Sequence, residues 1–356
     1  MAFLEHLSAR GCSPNTVRAY AYDLLHFWLF LGSRGYEWQD FSAVHALELL
    51  AYLRSVVVTG PGQRLGLSVA VDSSGQTGRR LAPSSVNRAL AAVSSFYEFV
   101  ILGGWGGANP IEQRPDPALA RVSERHRPAL GSSSRQRPVR RSVRVKTVER
   151  LPRPLEEAQV QALVEAARSL RDRALLLLML EGGLRPGEVL GLYLEDVAYG
   201  RRRVTIRHRE DHPAGVRSKS RTERVVDLHE GAALAALSAY VMTERPAETS
   251  TELVFVIGFG SRRGEPLGYD GLVRMFARCA QRAGIRQPWI TPHTLRHTHA
   301  TRMWEAGMRE LALQRRLGHA TPESTRRYTR VSDPLVVAEY RQALGRGADT
   351  SAGEDA

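Results

Sequence analysis

One stretch near the carboxyl end of the chain, residues 291–330, contains the side chains best suited to phosphate chemistry. His293 and Arg296 are three apart at a predicted helix start, so both side chains share one helix face. His319 follows a glycine that we expect to end a helix, which exposes the imidazole on a turn. Tyr328 comes nine positions later among arginines. A phenolate can attack a phosphate while cations hold the anionic oxygens, so this stretch predicts phosphoryl-transfer chemistry.

Taken one at a time, these residues also fit purely structural interpretations. Helix histidines are often core or surface residues with satisfied hydrogen bonds, and a tyrosine beside arginine often only stacks or hydrogen-bonds. The combination is more specific. The order H-x-L-R-H, then L-G-H, then a tyrosine nine residues later resembles the tyrosine recombinase (phage integrase) family. Members of that family also use an upstream arginine and a lysine.

The charge of the chain favours an anionic polymer as partner. Fifty Lys and Arg residues stand against 37 Asp and Glu in 356 residues, a net charge of +13, and the sequence pI is near 10.4. Most of the basic residues are arginine, whose planar guanidinium suits bidentate phosphate contacts. The charge therefore favours an anionic polymer as partner. The resemblance to tyrosine recombinases implies that this polymer is double-stranded DNA carrying specific recombination sites.

Cysteine usage and hydropathy indicate the cellular compartment of the protein. Cys12 and Cys279 lie far apart in sequence and offer neither a disulfide framework nor a metal cluster. The apolar run Ala174–Leu180 is too short to span a bilayer, and no signal peptide is recognised. We expect a protein of the reducing cytoplasm, associated with the nucleoid and not with a membrane.

The first hundred residues predict a bundle of amphipathic helices. Ser13-Pro14 provides an N-cap and a first helical position, and apolar residues then recur at three-to-four spacing as far as Gly32, where we expect the helix to end. Residues 43–58 and 82–102 continue the pattern. The Gly-rich polar interval 59–80 predicts a flexible loop without an assigned role.

This order of helices resembles the core-binding domain of the same family. There a helix with the pattern SPNT…Y…DL…F opens the bundle, and an Asn-Pro, here Asn109-Pro110, closes it. Apolar periodicity then disappears, and Arg and Pro dominate residues 111–153. That composition predicts a semi-extended linker, which acts either as a solvated tether or as a segment that follows DNA phosphates.

The second domain carries the two additional residues that the family uses. Gly182-Gly183 predicts a tight turn before Arg185, and G-L-R-x-x-E is the family pattern around its first catalytic arginine. The alternating segment RRRVTIRH and the later ERVVDL predict two strands of a β-hairpin. Lys219 lies in the predicted turn between them, which is the position of the family's hairpin lysine.

A metal site is not expected. His293 and His297 are four apart, as in a zinc-binding helix, but no Glu follows His293 in an H-E-x-x-H arrangement. Arg296 between them would repel a cation. We expect His297 to be a buried structural residue and His299 an ordinary helix position, with no cofactor.

The resemblance implies a mainly α fold with a small β-sheet. An N-terminal helical bundle of the core-binding, SAM-like kind would precede an α+β tyrosine-recombinase catalytic domain. The expected division is residues 1–110 for the DNA-binding helical domain, 111–153 for the basic linker, 154–345 for the catalytic domain and 346–356 for a disordered tail.

The resemblance also implies a role for each of six catalytic residues: Arg185, Lys219, His293, Arg296, His319 and Tyr328. The tyrosine attacks a scissile phosphodiester and forms a 3′-phosphotyrosyl intermediate. The two arginines neutralise the transition state, the lysine protonates the leaving 5′-oxygen, and the histidines accept a proton or donate a hydrogen bond to the phosphate. Neither ATP nor a metal ion is required.

Two other functions remain open from the sequence. A DNA topoisomerase with a tyrosine nucleophile would use similar residues as a monomer, and a non-catalytic DNA-binding accessory protein would fit the charge. For a recombinase we expect a monomer free in solution and a homo-tetramer on paired DNA sites, with a mild preference for a mobile-element integrase or transposase. The apolar helix predicted over residues 333–344 docks either on a neighbouring subunit or on its own domain.

Overall fold

The computed structural model describes residues 1–57, 67–71, 77–111, 113–115, 139–147, 153–217, 223–229, 231–319 and 323–326. The chain forms two compact units, Met1–Glu149 and Arg150–Ala356.

The first unit is a helical bundle with two short antiparallel strand pairs. Its helices and strands are α1 (Ala2–Ala9), α2 (Pro14–Arg34), α3 (Ala43–Ser55), β1 (Leu67–Val71), β2 (Thr77–Leu81), α4 (Pro83–Leu102), β3 (Gln113–Pro115) and β4 (Val139–Arg141). Aromatic side chains of α2 and α4 fill the core, where Phe27 and Phe30 are fully buried and Tyr97 stacks on Phe41. The predicted bundle is confirmed.

Helix α2 begins as predicted but ends later than predicted. Ser13 caps it by accepting from the Thr16 N–H at 3.1 Å. The helix continues through Gly32 and ends at Gly35, which adopts a left-handed conformation with φ of 67°. A glycine inside a helix only weakens it, whereas the left-handed cap satisfies end carbonyls, so the prediction for Gly32 was wrong.

The interval 59–80, predicted as a flexible loop, contains a hairpin. Strands β1 and β2 pair antiparallel, from Leu67 opposite Leu81 to Val71 opposite Thr77. The alternation of Leu67, Val69 and Val71 carries this strand signal within a Gly-rich composition. The loop prediction was therefore wrong for these residues, because the surrounding glycines obscure the period-two alternation of the strand.

Both ends of the predicted linker fold with the first unit. Strands β3 and β4 pair with each other, and Ile111 and Val143 are buried in the core of the bundle. The Asn87 amide donates to the Val145 carbonyl at 3.0 Å and accepts from its N–H at 2.8 Å. A few apolar residues among the arginines and prolines are sufficient to attach these ends.

The second unit is mainly helical with a small antiparallel sheet. Its elements are α5 (Glu157–Glu165), α6 (Leu170–Glu181), α7 (Pro186–Leu190), β5 (Val197–Ala198), β6 (Arg203–Ile206), β7 (Arg224–Asp227), α8 (Ala232–Ala239), α9 (Tyr269–Arg282), α10 (Pro292–Glu305), α11 (Glu310–Leu317) and α12 (Glu323–Arg326). In the described part of the chain, no helix is long and apolar enough to cross a membrane.

Helix α6 is the central element of the second core. Its side chains from Ala174 to Leu180 are all buried, so it is apolar on every side, as expected of a helix enclosed by others. It ends in the predicted glycine turn, where Gly183 has a φ of 61°. A side chain there would collide with the ring of His299, so the turn lets α6 end directly against α10.

The sheet has the strand order β5-β6-β7, with antiparallel pairs throughout. Strands β6 and β7 confirm the two predicted hairpin strands, with Arg203 opposite Asp227 and Ile206 opposite Arg224. Lys219, which the sequence places between these two strands, lies outside the described residues.

Candidate active site

Arg185 lies at the N-cap of α7, where the chain leaves the glycine turn and enters a helix at Pro186. Its backbone N–H donates to Glu188 Oε2 at 2.8 Å. Its side chain donates from Nη1 to Glu188 Oε1 at 2.7 Å. A carboxylate at the third helical position thus caps the helix and holds the Arg185 guanidinium.

Glu188 is the centre of an arginine cluster, which we define as Arg185, Arg224 and Arg296. Its side chain is 0% exposed. Arg224 binds it in a bidentate manner, from Nη1 to Oε1 at 3.0 Å and from Nη2 to Oε2 at 2.8 Å. Arg296 Nη1 lies 3.8 Å from Oε2. Because a buried carboxylate needs charged partners, this cluster fixes three separate segments around one side chain.

The arginine cluster keeps Glu188 ionised. Burial alone would raise its pKa, but the hydrogen bonds and charge of Arg224 and the charges of Arg185 and Arg296 outweigh burial and lower the pKa to about 2. The carboxylate is therefore an anion at neutral pH.

The carbonyl end of α11 binds all three arginines. Arg224 Nε donates to the Arg316 carbonyl at 2.9 Å, and Arg296 Nη2 donates to the Leu317 carbonyl at 2.6 Å. Arg185 donates to the Leu317 and Gly318 carbonyls at 3.2 and 3.1 Å. The last carbonyls of a helix lack partners within it and carry partial negative charge, so cations stabilise this end.

Gly318 ends α11 in a left-handed conformation with φ of 62°, which confirms the predicted helix end. A Cβ at this position would lie 2.6 Å from Arg224 Nη1. Glycine is therefore needed both for the backbone conformation and for the close approach of the arginine.

His319 follows directly and is half-buried beside the arginine cluster. Its Nδ1 lies 2.8 Å from the Thr325 hydroxyl of α12. Burial, followed by the charges of Arg296, Arg185 and Arg224, lowers its pKa to about 3. The imidazole is thus neutral. Because the Thr325 hydroxyl can donate or accept, the contact fits either tautomer, and in the tautomer that accepts at Nδ1 the proton is on Nε2.

Helix α10 carries the predicted pair His293 and Arg296. Thr291 is its N-cap and Pro292 its first residue, as predicted. Arg296 is buried and donates from Nη1 to the Gly183 carbonyl at 2.6 Å. His293 is exposed one turn earlier on the same helix. The pair therefore combines a fixed cation with an accessible imidazole.

The structure brings together Arg185, Arg296 and His319 at the carbonyl end of α11, and His293 lies on the helix of Arg296. Lys219 and Tyr328 lie outside the described residues. Among the described residues, no group of three or more His, Cys, Asp and Glu side chains is arranged to hold a metal ion.

The predictions for the two further histidines of α10 were wrong. His297 is only half-buried, because it lies four positions after exposed His293 on the same outer face. His299 is buried, three positions after Arg296 on the inner face. Its Nε2 accepts from Arg316 Nε at 3.0 Å, so it is a neutral acceptor that joins α10 to α11.

Sequence reasoning also missed Glu188 and Arg224 as members of the site. In the sequence, Glu188 was recognised only as the last residue of the G-L-R-x-x-E pattern and Arg224 only as part of the ERVVDL strand pattern. Their hydrogen bonds join positions 36 apart in the chain. For Glu188 the available signal was a charge in an otherwise apolar segment, since such a residue is buried only when paired. Arg224 follows another charged residue, Glu223, and has no comparable signal.

Buried His299 makes the stability of the second unit depend on pH. Burial and then the charge of Arg316 lower its pKa to about 3, below the ordinary 6.5. The unfolded chain therefore binds the proton more readily, and stability is complete above pH 6.5 and lost as the pH falls towards 3. Between pH 6.5 and pH 5 we expect a loss of about 2 kcal/mol from this residue.

Urea unfolding of the intact protein at the two pH values measures this loss. His299→Gln, whose side-chain oxygen can accept from Arg316, should reduce the difference in unfolding free energy by about 2 kcal/mol. His229→Gln, at an exposed position, is the matched control and should leave it unchanged. Equal pH dependence in all three proteins would contradict the assignment to His299.

Comparison with known families matches both units. The profile described as "Phage integrase family" matches residues 153–334, and that described as "Phage integrase, N-terminal SAM-like domain" matches residues 1–59. Transposase A from transposon Tn554 of Staphylococcus aureus is 28% identical over 348 residues, which cover 97% of this chain and 91% of the relative. Tyrosine recombinase XerC of Pelobacter propionicus is 30% identical over 351 residues, 96% of this chain and 93% of the relative.

Solved structures share the fold. The Tn1549 transposon integrase in complex with transposon right end DNA matches with a TM-score of 0.64 at 17% identity, covering 96% of this chain and 97% of that one. The XerH site-specific recombinase bound to a palindromic difH substrate matches with a TM-score of 0.62 at 17% identity, covering 93% and 81%. The predicted fold class, a SAM-like helical bundle with a mainly α catalytic domain that carries a small sheet, is confirmed.

Proposed function

The chain belongs to the phage integrase family and is a site-specific DNA recombinase, and we propose that it cuts and rejoins DNA through a phosphotyrosyl link to Tyr328. The observation that carries this mechanism is the convergence of Arg185, Arg296 and His319 at the carbonyl end of α11. Helix α12 begins four residues after His319, and its last residue, Arg326, comes two positions before the proposed nucleophile.

In the proposed cleavage step, the Tyr328 phenolate oxygen attacks the scissile phosphorus. The bond from phosphorus to the 5′-oxygen breaks, and that oxygen takes a proton from Lys219 as general acid. The phosphate remains joined to the 3′-oxygen and to the tyrosine. Attack by another 5′-hydroxyl reverses the step, so one phosphoester bond replaces another and neither ATP nor a metal ion takes part.

The arginines act on charge that develops during this step. As the phosphorus becomes pentacoordinate, Arg185 and Arg296 neutralise its non-bridging oxygens. Neutral His319 donates a hydrogen bond to one of them, and exposed His293 either accepts the tyrosine proton or holds the phosphate. Fixed donors require no reorganisation during the reaction. The hydrogen bonds of Arg185 to Glu188 and of Arg296 to the Gly183 carbonyl support this role.

Recombination is favoured over the two other functions. A binding accessory protein has no use for an arginine cluster built around a buried carboxylate, and a topoisomerase is disfavoured by relatives named as a transposase and as tyrosine recombinases. Similarity to the Tn554 transposase along 97% of the chain supports action on a mobile element. The proposed place of action is nucleoid DNA in the cytoplasm.

DNA is the partner, and the surface of α9 supports this assignment. Arg274, Arg278 and Arg282 are exposed at four-residue intervals, so they form one basic stripe. Like charges so close together destabilise an isolated helix and are stabilised by an anionic polymer. We further propose that the protein is a monomer in solution and a homo-tetramer on two DNA sites.

The nucleophile is tested by Tyr328→Phe, which removes only one oxygen. Folding and DNA binding should be retained while cleavage is lost, because the ring remains but the attacking atom does not. A duplex nicked near the cleavage point traps the covalent complex, which denaturing gels detect. An adduct formed by the Phe variant would exclude Tyr328 as the nucleophile. Loss of adduct formation by the wild-type protein in EDTA would contradict a metal-free mechanism.

The cations are tested by Arg185→Ala and Arg296→Ala. Each should lose about 3 kcal/mol of transition-state stabilisation or more, a rate loss of about a hundredfold, in single-turnover cleavage. DNA affinity should fall much less, since many other arginines contact the backbone. Arg203→Ala, on the sheet, is the matched control. Equal losses of affinity and of cleavage rate would mean that these arginines only anchor DNA.

Assembly is tested by truncation after Arg330. The predicted helix over residues 333–344 would dock on the neighbouring subunit, so the shortened protein should bind a single site but form no paired-site complex and complete no strand exchange. Native gels and light scattering with paired-site DNA measure both. Normal assembly and recombination by the truncated protein would mean that the segment packs within its own subunit.

A further inference from the structure

Arg224 joins three segments of the second unit through one side chain. Its Nε donates to the Arg316 carbonyl at the end of α11, and its two terminal nitrogens bind the two oxygens of Glu188 on α7. The side chain is only 7% exposed. It projects from the first residue of β7, five positions after Lys219.

The three arginines share Glu188 unequally. Arg224 uses both carboxylate oxygens, at 3.0 and 2.8 Å. The Arg185 side chain uses one oxygen, at 2.7 Å, and Arg296 remains 3.8 Å away. A guanidinium that binds both oxygens in a fork satisfies most of a carboxylate's demand for donors. Arg224 is thus the principal counter-ion of Glu188.

This arrangement matters for the charge that reaches a substrate. Glu188 is fully buried, so water cannot solvate it if a partner is removed. Without Arg224, the carboxylate would draw the remaining guanidinium groups towards itself, and Arg296 Nη1 is close enough to be drawn in. A guanidinium group that is paired with Glu188 has less positive charge available for a phosphate.

We propose that Arg224 is a positioning residue for strand cleavage, which saturates Glu188 and thereby leaves Arg185 and Arg296 to act on the scissile phosphate. It also fixes the carbonyl end of α11, and so the segment that leads to His319, against the strand that follows Lys219. This inference rests on the proposed function of the same site.

A second arginine of the sheet provides a matched control. Arg203 on β6 pairs with Asp227 on β7, from Nε to Oδ1 at 2.6 Å. This pair joins neighbouring strands as Arg224 joins β7 to its surroundings, but the Arg203 side chain is 51% exposed. Arg203→Gln therefore removes an arginine–carboxylate contact from the same sheet without touching the arginine cluster.

The experiment compares four variants in the full-length protein: Arg224→Gln, Arg224→Lys, Arg224→Gln combined with Glu188→Gln, and Arg203→Gln. Single-turnover adduct formation on a nicked duplex measures cleavage, fluorescence anisotropy measures DNA affinity, and thermal unfolding measures stability. Wild-type protein is measured alongside. Absence of an adduct with wild type would refute the proposed function itself, which separates that failure from failure of the present inference.

We expect Arg224→Gln to slow cleavage by about ten- to a hundredfold, the effect of a small misplacement of reacting groups. Its DNA affinity should stay within about threefold of wild type, since phosphate contacts elsewhere dominate binding. Adding Glu188→Gln should restore part of the lost rate, because the neutral amide no longer retains Arg185 and Arg296. Arg224→Lys keeps the charge but loses the fork, and its rate should lie between wild type and Arg224→Gln.

Restored cleavage in the double variant is the result that a merely structural role would not produce, because removing a second buried partner would only add damage. Cleavage by Arg224→Gln at the wild-type rate would overturn the inference, as would a double variant no faster than the single one. If either glutamine variant fails to fold, Arg224→Lys decides. We expect a folded Arg224→Lys variant that binds DNA normally to cleave several-fold more slowly than wild type and Arg203→Gln. An unchanged cleavage rate would overturn the inference.

Discussion

The second unit depends on one buried anion, the carboxylate of Glu188. A carboxylate with 0% exposure is tolerated only with charged partners, and it has them from three directions. Arg185 comes from the same helix start, Arg224 from the sheet, and Arg296 from α10. The pairing restrains geometry as well as adding stability. It fixes the three guanidinium groups around one carboxylate before DNA binds.

The carbonyl end of α11 provides the second restraint. Three consecutive carbonyls, those of Arg316, Leu317 and Gly318, accept from the arginine cluster, which joins the helix end to the Glu188 network. The left-handed glycine that ends the helix also makes room for Arg224. His319 leaves this junction directly, so its place relative to the arginines follows from backbone geometry and requires little side-chain ordering. Its neutrality follows as well, since burial disfavours the charged imidazole and the neighbouring cations disfavour another positive charge.

Local signals in the sequence predicted the elements but not the network. The Thr291-Pro292 helix start, the end of α11 at Gly318 and the hairpin strands are encoded by a few adjacent residues, and each was predicted correctly. The partnership of Glu188 with Arg224 depends on tertiary contact, so no local period reveals it. The predicted environments of His297 and His299 were the wrong way round, because the elements that pack on α10 determine which of its faces is buried. The β1–β2 hairpin was missed because glycine-rich composition obscured its alternation.

The arginine cluster lowers the stability of the second unit and at the same time provides positive charge for its proposed function. The three arginines exceed the single carboxylate in charge, and their mutual repulsion costs stability that an all-apolar core would not lose. Helix carbonyls offset part of that cost with partial charges, whereas a phosphate would offset more with a full one. A site that is under-neutralised without DNA therefore gains most from an anion with several acceptor oxygens. In the proposed mechanism it gains more still as the non-bridging oxygens of the phosphate acquire charge in the transition state. In that mechanism, incomplete compensation by Glu188 leaves positive potential that acts on the substrate.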